Sequence, residues 1–139
     1  MSRLFEAIAA HFHKGRRVEE VQEFDPVEGA LGGRLPADYK AFLMWSNGGE
    51  TLRPLAHYTF YPLEDLLPRR SDGQPPDVLE IATDDSTGFA FDLLVNRDAA
   101  AYPVVSYPLG DTTRGAVEFV ARDFRHFLAI IRDPGARYA

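Results

Sequence analysis

The chain has 139 residues, of which 45% are hydrophobic and 12% aromatic, and this composition indicates one globular domain over residues 1–139 rather than a disordered protein. It contains no cysteine, which excludes disulfides, thiolate metal sites and cysteine nucleophiles. The net charge of −6 is concentrated between residues 21 and 113, where fifteen side chains are acidic and six are basic. This acidic segment either attracts a basic partner and repels nucleic acid, or it serves solubility alone.

The N-terminal segment gives information on cellular location and on the first helix. Residues 1–6 lack the hydrophobic region of a signal peptide, and no apolar run approaches the roughly 18 residues of a membrane span, so we expect a cytoplasmic protein that does not contact the membrane. Apolar side chains at near-helical spacing predict an amphipathic helix over residues 3–13, ended by Gly15. His11 and His13 are too close in sequence to face one metal ion from a helix, so no metal site is expected there.

A second, short helix is predicted after Phe24. Asp25 has the residue type of an N-cap, and Pro26 suits the first helical position because the N–H that it lacks would have no partner there. The helix is expected to be brief, since three glycines lie between residues 29 and 33. Glu28 is expected to have a cap-side or surface role.

The clearest helix signal begins at Pro36, which again suits a first helical position. Tyr39, Phe42 and Leu43 follow at the spacing that places bulky side chains on one face of a helix. The run Asn47-Gly48-Gly49 tolerates the left-handed backbone that ends a helix and turns the chain.

Two short elements and a loop are predicted next. Residues 57–61 are rich in β-branched and aromatic side chains and predict a strand. Residues 62–67 begin with proline and predict one helical turn. Residues 68–77 contain three prolines and no aliphatic side chain, which predicts a mobile surface loop.

Two hairpins and a final helix complete the chain. The strands of the hairpins are predicted at residues 78–82, 88–93, 104–107 and 115–120. A helical stripe that starts at Phe124 predicts a packed terminal helix over residues 123–131. Helices followed by consecutive hairpins indicate an α+β fold: a mostly antiparallel sheet of about five to six strands, with N-terminal helices and a C-terminal helix packed against it.

No catalytic motif is present in the sequence. Phosphate-binding loops, dinucleotide fingerprints, zinc-protease helices and serine elbows each need a fixed spacing that does not occur. Asp84-Asp85-Ser86 has the oxygens of a weak divalent-cation site, but an EF-hand would need a glutamate where Val95 stands, so a polar hairpin tip is the favoured interpretation. We therefore expect no enzymatic activity, no cofactor and no metal.

Five motifs occur along the chain in a fixed order. The first is Leu35-Pro36-Ala37-Asp38-Tyr39-Lys40-Ala41-Phe42-Leu43, completed by Trp45-Ser46-Asn47-Gly48-Gly49. The others are Phe60-Tyr61-Pro62-Leu63-Glu64-Asp65-Leu66, Ile81-Ala82-Thr83-Asp84, Gly88-Phe89-Ala90-Phe91-Asp92 and Phe124-Arg125-His126-Phe127-Leu128. The motifs occur in the same order as in the SUKH superfamily, and over roughly residues 20–132 the chain resembles that superfamily.

The resemblance implies a protein-binding module with a SUKH-like fold rather than a catalyst. Bacterial members are typically immunity proteins that neutralise a polymorphic toxin, often a nuclease, so the implied partner is a cognate toxin domain. The fungal cell-wall assembly regulators of the superfamily imply the alternative, a housekeeping scaffold that binds several proteins. The acidic middle of the chain agrees with the first role, because an acidic surface associates rapidly with the basic groove of a nuclease.

Acidic and aromatic side chains on the sheet and its loops are the candidates for contact with the partner. Asp84, Asp85 and Asp111 lie in the two predicted hairpin loops, and Glu50 follows the central helix. Trp45 lies beside the apolar stripe of that helix, where core packing is favoured over partner contact. The sequence predicts no particular oligomeric state.

Overall fold

A seven-stranded antiparallel sheet, in which the strands lie in chain order, forms the centre of the computed structural model. The structure describes residues 2–70 and 74–138. The strands are β1 (Phe12–Lys14), β2 (Gly49–Thr51), β3 (Thr59–Phe60), β4 (Val78–Thr83), β5 (Thr87–Asp92), β6 (Val104–Pro108) and β7 (Glu118–Ala121). The predicted α+β class is confirmed. The sheet has more strands than predicted because β1 lies in a segment that the sequence assigns to a helix, and β2 in a segment for which no strand is predicted.

One face of the sheet is covered by the helices. They are α1 (Ser2–Ala9), α2 (Asp25–Leu31), α3 (Ala37–Trp45), α4 (Leu63–Arg70) and α5 (Phe124–Arg132). Their buried side chains form one apolar core with the strand residues that face them, such as Phe60 and Phe91. No helix in the described ranges has both the length and the apolar character that crossing a bilayer requires.

Helix α3 presents the predicted apolar face to the core. Tyr39, Phe42 and Leu43 are each at most 1% exposed, so this face is fully removed from water. Pro36 is the N-cap with an extended backbone (ψ 140°), and the helix begins at Ala37, one residue later than predicted. The fixed φ of proline is compatible with either position.

Helix α5 is amphipathic, as its sequence predicts. Phe124, Phe127 and Ile131 are buried in the core. The carboxylate of Asp123 accepts a hydrogen bond from the backbone N–H of His126 (2.8 Å) and so caps the N-terminus of the helix.

The N-terminal helix ends earlier than predicted. Helix α1 stops at Ala9, and the chain then forms β1, in which Phe12 pairs with Thr51 and His13 with Glu50. Three residues are too few to show the period of a strand, so pairing with β2, which is distant in sequence, decides the conformation of this segment.

Helix α4 is longer than the single turn predicted, and it continues through Pro68. Leu63 and Leu66 are buried in the core, and this packing outweighs the tendency of the proline to end the helix. The first part of segment 68–77 is therefore helical rather than a loop, and its residues 71–73 lie outside the described part of the chain.

Glu28 in α2, for which a cap-side or surface role is predicted, contacts the start of α3. Its Oε2 accepts hydrogen bonds from the backbone N–H of Leu35 (2.7 Å) and from Nζ of Lys40 (2.7 Å). The side chain thereby joins α2 to the start of α3. Asp25, the predicted N-cap of α2, is instead its first helical residue, with Phe24 at the cap.

The Asn-Gly-Gly turn after α3 connects this helix to β2 and α4. The Asn47 Oδ1 accepts a hydrogen bond from the backbone N–H of Leu63 (2.6 Å), and its Nδ2 donates to Oε1 of Glu64 (2.8 Å). Gly48 (φ 85°) and Gly49 (φ 122°) have the positive φ values that the sequence predicts for this turn.

Candidate functional site

The face of the sheet opposite the helices, which we call the outer face, is partly covered by the chain itself. A small buried cluster on this face consists of Val78, Ala90, Val105 and Tyr107. The loop of residues 109–117, between β6 and β7, packs against the cluster through Val117. The loop is thus held on the outer face rather than extending into solvent.

An ion pair fixes this loop. Nη2 of Arg114 lies 2.7 Å from Oδ2 of Asp92, and Nη1 lies 3.5 Å from the carbonyl oxygen of Pro76. Asp92 is only 6% exposed, and its Oδ1 accepts a hydrogen bond from the backbone N–H of Leu94 (3.1 Å). The buried carboxylate of Asp92 therefore has the Arg114 cation beside it only while the loop is folded back.

Replacing Arg114 with leucine is expected to lower the free energy of unfolding by about 1–2 kcal/mol, because the carboxylate of Asp92 loses a charged hydrogen bond. Urea unfolding measures this change. Hydrogen exchange followed by mass spectrometry should rise in residues 109–117 and stay unchanged in α5. Unchanged exchange in the loop would show that the ion pair does not hold it. Arg132→Leu, at an exposed arginine, is the control and should stay within about 0.5 kcal/mol of the wild type.

A buried glutamate also lies on the outer face. Glu80 is 3% exposed, and its two carboxylate oxygens accept hydrogen bonds from the hydroxyls of Tyr61 (2.7 Å) and Tyr107 (2.5 Å). Gly88 leaves room for this group, because a Cβ there would lie 2.5 Å from Oε1 of Glu80. Sequence reasoning missed the arrangement, although a glutamate inside an apolar strand was a signal for it.

The two hairpin loops contain aspartates that bind their own backbone. Oδ1 of Asp84 accepts hydrogen bonds from the backbone N–H groups of Ser86 (3.0 Å) and Thr87 (2.8 Å). Oδ1 of Asp111 accepts one from the backbone N–H of Thr113 (2.8 Å). Each carboxylate therefore stabilises a turn and is oriented by it.

A backbone hydrogen bond joins the two loops, since the N–H of Leu109 donates to the carbonyl oxygen of Ser86 (3.0 Å). Three of the predicted residues, Asp84, Asp85 and Asp111, thus share one end of the sheet. We call this surface, residues 84–86 and 109–113, the acidic end.

Further groups surround the acidic end. A depression of about 520 Å³ beside its two loops is lined in part by Glu118, which adds another carboxylate. Burial and, as a smaller effect, the negative charge of Asp84 raise the pKa of Tyr58. This half-buried tyrosine, whose ring packs against Phe89 (5.2 Å between centroids), therefore places an aromatic side chain near Asp84, on the helix-covered side of the sheet.

The other two predicted residues lie elsewhere. Glu50 is in β2, separated from β4 by β3, and its Oε2 lies 3.0 Å from Nε2 of His57. Trp45 is half-buried on the helix-covered face, with ring centroids 5.2 Å from Phe5 and 5.4 Å from Phe12. The structure does not bring these two residues to the acidic end, and their contact with a partner stays a prediction.

An exposed aromatic residue that sequence reasoning did not single out lies on β7. Phe119 is 58% exposed and pairs with Val105, so it belongs to the outer face. The available signal was the alternation of apolar and acidic residues at Val117, Glu118 and Phe119, which places the two apolar side chains on one side of a strand. Exposed aromatic side chains are enriched in protein interfaces.

The histidine in α5 is held by hydrogen bonds on both sides of its ring. Nδ1 of His126 accepts from the backbone N–H of Arg122 (3.0 Å), and Nε2 lies 2.9 Å from the carbonyl oxygen of Ala136, to which it donates. Within residues 2–70 and 74–138, no three histidine, aspartate or glutamate side chains converge on a possible metal position. His126, like Glu80, is thus held as a hydrogen-bonding partner within the fold.

Two comparisons relate the chain to known proteins. The model of the SMI1 / KNR4 family (SUKH-1) matches residues 20–130, a segment that contains α3 and both loops of the acidic end. No curated protein matches the chain by sequence.

Proposed function

Because the chain belongs to the SMI1 / KNR4 family (SUKH-1), we propose that it is a non-enzymatic protein-binding module that acts in the cytoplasm as an immunity protein. Its partner in this proposal is a cognate toxin domain, which it binds one to one and neutralises. The observation that carries the proposal is the acidic end, where the backbone orients aspartates of two loops at one end of the sheet.

The acidic end has the properties that favour a basic partner. Asp84 and Asp111 are oriented by backbone N–H groups, so little conformational freedom is lost when a cationic surface binds. Asp85 is exposed, and the exposed side chain of Leu109 offers apolar contact within the acidic end. A nuclease toxin has a basic groove for its substrate, and an acidic surface would associate rapidly with that groove and block it.

The buried titratable groups support a non-catalytic role. Both ring nitrogens of His126 are engaged with the backbone, and both carboxylate oxygens of Glu80 accept tyrosine hydroxyls. Groups held in this way stabilise the fold, and both are buried away from a substrate. Turnover in a broad substrate screen would contradict this part of the proposal.

The test neutralises the acidic end without disturbing its turns. In the triple variant Asp84→Asn, Asp85→Asn and Asp111→Asn, each side chain keeps an Oδ1 acceptor for the backbone but loses its charge. We expect the dissociation constant for the cognate toxin domain to rise about 10- to 100-fold at low salt. Isothermal titration calorimetry measures the change, and the difference should shrink as salt is added.

A matched control removes three exposed acids elsewhere, in the variant Glu19→Gln, Asp25→Asn and Asp98→Asn, and should bind like the wild type. Equal weakening by both triple variants would show that net charge, not the acidic end, drives binding. If the protein captures several host proteins and does not protect cells that express the toxin, the scaffold role of the cell-wall assembly regulators is the better account.

A further inference from the structure

A groove separate from the acidic end lies between residues 16–17, α2 and α4. Its volume is about 850 Å³. We propose that this groove binds an acidic, apolar peptide segment of a second protein partner. In this arrangement, apolar side chains of the peptide lie between α2 and α4, and its carboxylates bind Arg16 and Arg17.

The two helices supply an apolar surface. Pro26 and Val27 of α2 face Leu63 and Leu67 of α4 across the groove. Leu67 is half-buried and therefore still has surface to offer to a partner. Burial of leucine or isoleucine side chains here would remove apolar area from water on both molecules, which favours binding.

The acidic and the basic side chains of the groove differ in the hydrogen bonds that they form within the chain. Oε2 of Glu23 accepts the backbone N–H groups of Glu19 (3.1 Å) and Glu20 (2.9 Å), and Oε1 of Glu64 accepts Nδ2 of Asn47 (2.8 Å). Both carboxylates in the lining are thus engaged within the chain.

Among residues 2–70 and 74–138, the guanidinium groups in the same lining have no such partner. Arg16 and Arg17 are exposed, and neither forms a side-chain hydrogen bond or ion pair within the described residues. Each guanidinium presents five N–H donors in a planar fork that matches a carboxylate. The donors of Arg16 and Arg17 therefore suit a peptide that carries carboxylates.

The walls of the groove are held in place before any peptide binds. The backbone N–H of Asn47 donates to the carbonyl oxygen of Arg16 (2.6 Å), and Oδ1 of Asn47 accepts the N–H of Leu63 (2.6 Å). The N–H of Val18 donates to the carbonyl oxygen of Leu43 in α3 (2.9 Å). The arginine segment and α4 are thus both fixed to the end of α3, and a preformed groove loses less entropy on binding.

The experiment selects peptides from a randomised phage-displayed library on the wild-type protein and measures the enriched peptides by fluorescence anisotropy. We expect enriched sequences to combine aspartate or glutamate with leucine or isoleucine. The variant Arg16→Glu with Arg17→Glu should raise their dissociation constant at least about tenfold. The control variant Arg53→Glu with Arg132→Glu, which changes net charge equally at exposed arginines, should change it less than about twofold.

Enrichment of basic peptides, an absence of enrichment, or equal binding to the Arg16 and Arg17 variant would each overturn the proposal. Both arginine variants should keep the circular dichroism spectrum and unfolding midpoint of the wild type, because the substituted side chains are exposed. The triple asparagine variant of the acidic end should bind the selected peptides normally. The groove is therefore tested independently of the toxin contact.

Discussion

Replacing Phe42 with alanine is expected to lower the free energy of unfolding by about 3–5 kcal/mol, the largest effect that we expect from a single side chain. Phe42 is fully buried and lies where α3 meets the N-terminal segment, the sheet and α5. Five aromatic rings have centroids within 5.0–5.9 Å of its own: Phe5, Phe12, Trp45, Phe60 and Phe124. Because these rings belong to different elements, they cannot all move in to fill the cavity.

Urea unfolding monitored by tryptophan fluorescence measures this loss. Phe119→Ala removes the same ring from an exposed position and should change stability by less than about 1 kcal/mol, so it separates burial from the chemistry of the substitution. A loss at Phe42 no greater than that at Phe119 would mean that the packing around α3 is not as tight as its ring distances imply.

Replacing Gly49 with alanine is expected to destabilise the fold by about 3 kcal/mol. Two effects add: the backbone has a φ of 122°, which a side chain disfavours, and a Cβ would lie 2.5 Å from the carbonyl oxygen of His13 and 2.7 Å from the ring of Phe12. The backbone oxygen belongs to β1, which pairs with β2 at this point, so it cannot withdraw without loss of the strand pairing.

Gly29→Ala is the matched control for this substitution. Gly29 lies inside α2, and a Cβ there would have no neighbour within 4 Å. Alanine should therefore stabilise the helix by about 0.5–1 kcal/mol, the opposite sign from Gly49. Thermal unfolding of the two variants compares them directly, and a shared sign would contradict the steric account.

The elements that the sequence predicts correctly are those whose signals are local. Helices α3 and α5 have bulky apolar side chains at helical spacing and residues suited to a helix start, so neighbouring positions are enough to define them. Strand β1 has no such signal because its conformation depends on pairing with residues 49–51. The contact of Glu28 with α3 is not predicted for a similar reason, since its partner Lys40 lies in another helix.

The acidic end can likewise be predicted from local signals in the sequence, whereas the groove cannot. Asp84 and Asp111 are recognisable because hairpin loops favour aspartate, and consecutive hairpins place their loops near one another. The pairing of Glu80 with two tyrosines depends on which strand residues share a face, and a register shift between Glu80 and Ala82 alters that alternation. The groove joins residues 16–27 to α4, which is distant from them in sequence, so no local pattern marks it.

The order of the strands has a consequence for how the protein folds. From β4 to β7, each strand pairs with the strand before it in the chain, and the connections between them contain no α-helix, so these pairings close short loops at a small entropic cost. Pairing of β1 with β2 instead encloses residues 15–48, which include α2 and α3. We therefore expect the meander from β4 to β6 to form in the folding transition state, and β1 to join the sheet only after α3 has docked.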